Sequence, residues 1–217
     1  MKKYLIAASM VALTIAACKK DDRDSGSFVQ TVSYPTINFT GGEFYSINTG
    51  GSLPEVAATA YDSMLGESYP VQIVGAESID NTVPGLYVIS ATAKNRFGFV
   101  RNEQVFIAVT DIPDSVDLSG EYARGAAIAT ISRLKRGLYR TDDVGGTGGS
   151  SKTSAIFAQL NDSTLDLPEQ EVEGAGTIEA VNGRVYVNAT GDTTISYRFS
   201  QGGAFFNTTA TRVFVKQ

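Results

Sequence analysis

Beyond residue 17, no stretch of this chain repeats its apolar residues at the spacing of an amphipathic helix. Strict alternation recurs instead, interrupted at short intervals by glycine, proline or asparagine. Tyr87, Ile89, Ala91 and Ala93 fall on one face, and Ser90, Thr92 and Lys94 on the other. Ile195, Tyr197 and Phe199 alternate in the same way with Ser196, Arg198 and Ser200. A period of two belongs to a pleated strand with one buried face. The chain is therefore expected to be all-β. Its 217 residues hold a single cysteine, so no internal disulfide can staple it and each folded unit must rest on an apolar core.

Punctuation divides the chain. Residues 34–112 read as a first unit of about seven short strands, as expected for an immunoglobulin-like sandwich. Pro84-Gly85 forces a turn before the 87–93 strand. Tyr87, placed just after that corner, can return its hydroxyl to upstream backbone as in a tyrosine corner. Asn95 to Gly98 reads as a tight connection. Proline at 113 marks the boundary. Residues 117–217 read as a second unit of consecutive strands joined by tight turns, with Asn182-Gly183 as a two-residue hairpin turn. That pattern fits an antiparallel meander, either a small lipocalin-like barrel or a second sandwich.

The first 17 residues read differently. Lys2 and Lys3 precede an apolar run over residues 4–17, broken only by Ser9 and Thr14. It is shorter than the roughly 20 residues that span a bilayer, and fits a secretory signal segment. Ile15-Ala16-Ala17-Cys18 resembles the lipobox of bacterial lipoproteins. The resemblance implies cleavage before Cys18, fatty acylation of its thiol and a membrane anchor. The other reading is an ordinary signal peptide cut after Ala17. Residues 18–33 form a charged tether with a root-mean-square reach of roughly 20 Å if flexible. Lys19, Lys20, Asp21 and Asp22 resemble the surface-export signal of Bacteroidetes-type lipoproteins, which implies the outer membrane and its outer face. The alternative is the periplasmic face, with a tether that carries no address. The set Asp80, Pro84, Gly85, Tyr87, Asn95 and Gly98 resembles the bacterial surface Ig-like domain of those lipoproteins. Leu118, Gly120, Tyr122 and Arg124, then Gly137-Leu138-Tyr139 and the Tyr197 to Gly203 strand pair, resemble an uncharacterised C-terminal β domain that follows it. By this analogy alone, the chain accompanies a glycan-uptake system.

Composition narrows the chemistry. The chain has no histidine and no tryptophan. A Ser-His-Asp triad, a Cys-His pair and a zinc site of His or Cys are thereby excluded. Net charge is −5, and loss of Lys2 and Lys3 on processing makes it more acidic, which argues against nucleic acid. The run 145–153 is glycine-rich and ends in Ser151-Lys152-Thr153, but a phosphate loop needs glycine directly before the lysine. A mobile loop at a barrel mouth is the plainer reading. Acidic groups at Asp142-Asp143, at Glu169/Glu171/Glu173 and at Asp162/Asp166 are candidates for a glycoside hydrolase only if two of them converge across a cleft. Asp111, Asp114 and Asp117 are hard oxygen donors that would suit calcium, without the order of a calcium loop. Tyr139 and Arg140, inside the basic cluster Arg133, Lys135, Arg136, are the candidate ligand contacts. Ser63, Ser115, Ser163 and Thr193 follow aspartates in a pattern resembling O-glycosylation sites of exported Bacteroidetes-type proteins. The same dipeptides are good turn residues. The expected function is a non-enzymatic surface lipoprotein that binds a glycan, a small ligand or an outer-membrane partner protein. A structural or adhesive role is the alternative.

Overall fold

The computed structural model describes residues 32–217. Cys18, Lys19, Lys20, Asp21 and Asp22 lie outside the described residues. From Ser33 onward the chain forms one compact unit. It is all-β: two small sheets and a closed eight-stranded barrel.

The first seven strands are β1 (Thr36–Thr40), β2 (Phe44–Ile47), β3 (Ala57–Asp62), β4 (Glu67–Tyr69), β5 (Val71–Val74), β6 (Gly85–Lys94) and β7 (Val100–Val109). They form a sheet β1-β3-β4 and a sheet β2-β7-β6-β5. Residues 69–74, which alternate as a single strand, divide at Pro70, which cannot donate to a ladder. The residues before it pair with β3 and those after it with β6. β2 runs parallel to β7, from Phe44 opposite Phe106 to Ile47 opposite Val109. The corner forms as the spacing implied: the Tyr87 hydroxyl donates to Asp80 O at 2.9 Å and Val83 O at 3.0 Å.

The remaining strands are β8 (Gly120–Arg124), β9 (Ala127–Lys135), β10 (Leu138–Thr141), β11 (Ala155–Gln159), β12 (Leu165–Val172), β13 (Gly176–Val187), β14 (Thr193–Gly202) and β15 (Thr211–Lys216). Each pairs antiparallel with its neighbours in sequence, and β15 closes onto β8 at Val215↔Ala123 and Lys216↔Tyr122. This is the up-and-down barrel, not a second sandwich. Its interior is filled by side chains. Tyr122, Tyr139, Phe157, Tyr197, Phe199, Phe206 and Phe214 belong to one buried cluster. Phe199 and Phe206 stack at 4.8 Å, and the Arg212 guanidinium lies 4.3 Å over Phe199.

Asn182-Gly183 is not a hairpin turn. It lies inside β13, where Val181 pairs with Arg198 and Arg184 with Ser196 on the same partner strand, so the two residues form a bulge. Asn182 adopts φ 57°, which suits either feature. The deciding contact is tertiary. A Cβ on Gly183 would lie 2.3 Å from Leu165 O, so only glycine lets β13 pass this close to β12.

β6 up to Ile89 and β7 from Val105 are covered on both faces, and that positions the site at their exposed remainder. Ile89, Val105 and Ile107 face the core between the two sheets. Leu86, Phe106 and Ala108 face the opposite way and share a cluster with the barrel residues Leu138, Ile156 and Ala158. The half-buried Asp166 carboxylate accepts Leu86 N–H across this seam at 2.7 Å. Thr110 donates its hydroxyl to Gln159 O at 2.8 Å.

Candidate functional site

Where the seam widens, a cleft of ≈ 810 Å³ opens between the β2-β7-β6 face and the barrel wall β10–β12. Its cause is local. β11 and β12 pair only at Ala158↔Asp166 and Gln159↔Leu165. Beyond that the β12 register shifts against β13 between Leu167 and Gln170. Pro168 sits in this stretch, at a bulge, as an interior-strand proline must. The Gln170 side chain replaces the missing ladder. Its Oε1 accepts Ile156 N–H at 2.9 Å and its Nε2 donates to Ile156 O at 2.7 Å. Held apart by one side chain, the two strands leave a hollow above them.

The cleft is polar. Glu43, Thr92, Arg101, Asn102, Glu103 and Gln104 line the sheet side, and Arg140, Ser154, Gln170, Glu171 and Glu173 the barrel side. Phe44, half-buried, stacks on Phe106 with ring centroids 6.0 Å apart. The Arg140 guanidinium lies 5.3 Å over the Phe44 ring. Arg101 pairs with Glu103 at 2.5 Å. The Thr177 hydroxyl donates to Glu171. The Arg140 guanidinium makes no ion pair or hydrogen bond among the described residues, so its five donors face the cleft on an aromatic base. A smaller hollow of ≈ 280 Å³ continues from the cleft through Gln104, Gln170 and Glu171 to Val88 and Glu169.

The structure separates the two residues named together as ligand contacts. Tyr139 is fully buried in the barrel. Its ring stacks on Phe157 at 5.6 Å, and its hydroxyl donates to Val116 O and accepts Leu118 N–H, both at 3.3 Å. It is a core residue. Strand alternation turns its neighbour Arg140 outward into the cleft. The rest of the basic cluster clamps the connection between the two regions. Arg133 pairs with Asp114 at 2.5 Å, and Arg136 donates to Ile112 O at 3.0 Å.

The three spaced aspartates do not converge. Asp111 accepts Thr49 N–H, Asp114 holds Arg133, and Asp117 accepts Ser119 N–H. Among the described residues no group of three or more acidic side chains is arranged to hold a metal ion. Ser63, Ser115 and Ser163 are exposed at turns, whereas Thr193 is half-buried at the start of β14.

The glycine-rich run begins as a plug: Gly145 and Gly146 are buried in the barrel end, while Thr147 and Gly149 to Lys152 are exposed. Asp143 is fully buried, and its carboxylate accepts Thr147 N–H at 3.1 Å and Gly148 N–H at 2.7 Å. The amides that would cradle a phosphate already donate to the chain's own Asp143 carboxyl group. Val144 is buried, and its carbonyl accepts the Tyr197 hydroxyl at 2.6 Å. A Cβ on Gly146 would lie 2.4 Å from Arg124 Cδ and 3.0 Å from the Phe214 ring, so the backbone itself seals this end of the barrel.

Gln170 escaped the sequence reading, as did the joining of Ser33, Asp62 and Asn95 in the hub described below; Asp143 was named there as an acid, not as the anchor of the glycine-rich run. Pro168 inside an apolar alternating run was the one available sign of the bulge that makes the cleft.

No family model matches the chain, and no curated protein matches it. Among solved structures, the crystal structure of a lipoprotein from Bacteroides thetaiotaomicron is similar. The two are 22% identical, the match covers 84% of this chain and 100% of that one, and the TM-score is 0.36.

Proposed function

We propose that this chain is a non-enzymatic, lipid-anchored binding module of the outer-membrane surface of a Bacteroidetes-type bacterium. An Ig-like sandwich, β1–β7, is followed by a barrel. The parallel β2–β7 pairing, the strand that changes sheets at Pro70 and the Tyr87 corner support the Ig-like reading. The lipobox-like run ending at Cys18 and the Lys-Lys-Asp-Asp that follows support the anchor and its location.

The observation that carries the binding role is the polar cleft, with the Arg140 guanidinium, unpaired among the described residues, laid over Phe44. Its Asn, Gln, Ser and Thr donors and acceptors suit a hydroxyl-rich ligand, and we read that ligand as a glycan. The filled barrel argues against an apolar ligand carried inside it. Of the four glutamates lining the cleft, Glu103 is tied to Arg101 and Glu171 to Thr177, and on those two ties binding is preferred over hydrolysis. Glu43 and Glu173, on opposite sides, carry no such tie among the described residues, so the hydrolysis assay below is decisive. A thermal-shift screen of the chain against neutral and acidic oligosaccharides tests the reading. At least one glycan is expected to raise the midpoint, and Arg140→Ala to abolish that shift without lowering the ligand-free midpoint. A screen with no response from any glycan would sink the glycan assignment. Release of reducing sugar by the pure protein would overturn the non-enzymatic one. Cys18→Ser is expected to free the protein from the membrane fraction with its melting midpoint unchanged.

One observation favours a second reading, contact with a partner protein. Tyr186, Thr194, Val215, Ala123 and Ile128 are successive cross-strand partners over β13, β14, β15, β8 and β9. Tyr186 is 64% exposed, Val215 40% and Ile128 37%. The row lies on the outer surface of the filled barrel, where an aromatic-aliphatic stripe suits a protein face.

A further inference from the structure

The end of the fold where the chain emerges from its N-terminal segment is built in an unusual way. Three buried polar side chains tie three separate segments to one point. The Ser33 hydroxyl donates to Asp62 Oδ2 at 2.7 Å. Asn95 Nδ2 donates to Ser33 O at 2.8 Å and to the same Asp62 oxygen at 3.1 Å. Asp62 Oδ1 accepts the amides of Met64 and Leu65, which shapes the turn after β3. Asn95 Oδ1 accepts the amides of Phe97 and Phe99, which shapes the turn after β6.

Each of these segments then exposes an apolar side chain within two residues of the hub. Tyr34 is 54% exposed, Met64 64% and Phe97 46%. Tyr34 leans on Phe99 at 5.5 Å, and the Arg96 guanidinium sits 4.9 Å over Phe97. Lys94 is exposed beside them. Fixing loops so firmly in order to leave Met and Phe in solvent gains nothing for the fold. Aliphatic and aromatic tips with Lys94 at the rim, and with Arg96 paired to Glu67 beside it, match the interface of a bilayer, where apolar side chains enter and a free cation meets headgroups.

We infer that this tip rests on the membrane that holds the anchor. The inference depends on the lipoprotein reading of Cys18, which sets the occupant. Only residues 19–32 separate that cysteine from Ser33, a span of at most about 50 Å when fully extended. The patch surrounds Ser33, the first residue of the fold, and so lies within that reach of the anchor. Docking would fix the orientation of the cleft relative to the membrane.

Because the chain has no tryptophan, Phe97→Trp supplies a single fluorescent reporter. The full-length lipidated variant is reconstituted into phosphatidylcholine–phosphatidylglycerol vesicles with and without brominated acyl chains. Tyr186→Trp on the barrel serves as the distant control, and Met64→Trp as a second reporter at the tip. The Phe97→Trp variant is expected to show blue-shifted indole emission, quenched by roughly half by brominated lipid as for a side chain several ångströms into the interface, with emission of the Tyr186→Trp control unaffected. Equal quenching in the Phe97→Trp and Tyr186→Trp variants, or none in either tip variant, overturns the docking. The latter includes the case in which a segment preceding Ser33 covers the patch. Mass spectrometry of the same sample reads acylation of Cys18 separately. An acylated, vesicle-bound protein with unquenched tip reporters therefore refutes the docking and leaves the anchor intact, whereas an unacylated Cys18 refutes the anchor itself.

Discussion

The barrel and the two sheets before it bury apolar side chains without any disulfide, by opposite means. The barrel uses bulk. Tyr122, Tyr139, Phe199 and Ile178 are among its fully buried side chains, and closure leaves no strand edge. Among the described residues the sheets fully bury no aromatic ring between them. Ile37, Ala60, Ala91 and Ala93 form one inter-sheet cluster and Ile89, Val105 and Ile107 the next, with Phe39, Tyr45 and Tyr69 only partly buried against them. Aliphatic packing without fully buried rings removes less apolar area from water per residue than the barrel does, so this region also leans on polar ties and on the barrel. The Ser33–Asp62–Asn95 hub and the Tyr87 corner are the ties. The shared cluster of Leu86, Phe106 and Ala108 with Leu138, Ile156 and Ala158 is the support. The difference teaches that the first region is a lodger on the second, although the residues alternate equally well in both.

The largest test removes bulk from the barrel. Phe199→Ala deletes a fully buried ring that contacts Tyr197, Phe206 and Arg212. It should cost about 3–5 kcal/mol by urea denaturation. Because the seam is shared, tyrosine fluorescence and far-ultraviolet dichroism should follow one transition. Two separated transitions would mean that the sheets hold themselves up, and the comparison would fail.

Next in size is the plug. Asp143→Ala strips a buried acceptor from the Thr147 and Gly148 amides; those amides are only partly buried, so each lost hydrogen bond should cost about 0.5–1.5 kcal/mol. The loop should become protease-sensitive after Gly145 before the strands unfold. A variant as resistant as the parent would show that the glycine backbone seals the barrel without that carboxyl group.

Two aspartates should make the regions answer acid in opposite senses. Burial pushes the Asp62 carboxyl up, but hydrogen bonds from Ser33, Asn95, Leu65 and Met64 outweigh it and leave it below the ordinary 3.8. Its contribution is complete above that value and is lost as pH falls through the lower folded one. Burial raises the Asp166 carboxyl above 3.8, opposed by the Leu86 amide and assisted by Glu179. Its contribution is complete below 3.8 and is lost as pH rises through the folded value. In urea titrations at stepped pH, Asp62→Asn should flatten the acid limb below 3.8, and Asp166→Asn the decline above it. A change of slope in the same direction for both would overturn this assignment.

How far the residues alone disclosed this arrangement varied with the range of the forces involved. Alternation located most strands, because burial of one face is written into each strand separately. The Tyr87 corner was legible for the same local reason. Asn182-Gly183 was misread because hairpin turns and bulges both ask for a left-handed residue, and only the Leu165 carbonyl decides between them. Tyr139 and Arg140 were paired as contacts because parity does not say which face is inside. The cleft was hidden altogether: it needs β7 and β12, more than fifty positions apart in sequence, to meet across a seam that neither strand specifies alone.

The smallest expected effects compare one surface ion pair from each region. Arg96–Glu67, with side chains 54% and 38% exposed, lies at the tip of the sheets. Lys152–Asp142, 34% and 42% exposed, lies at the barrel mouth. Double-mutant cycles should return coupling of only about 0.2–1 kcal/mol for each, falling as salt is added. The barrel pair should be the stronger, because Asp142 also accepts Thr130 N–H at 2.7 Å and reaches its partner already oriented. Glu67, by contrast, accepts from the Tyr69 hydroxyl, so its other oxygen is shared with a second side chain rather than fixed by backbone. A larger coupling at Arg96–Glu67 would mean that the tip loops are held more rigidly than the mouth of the barrel. The dependence of the sheets on the barrel would then have to be reconsidered from that end.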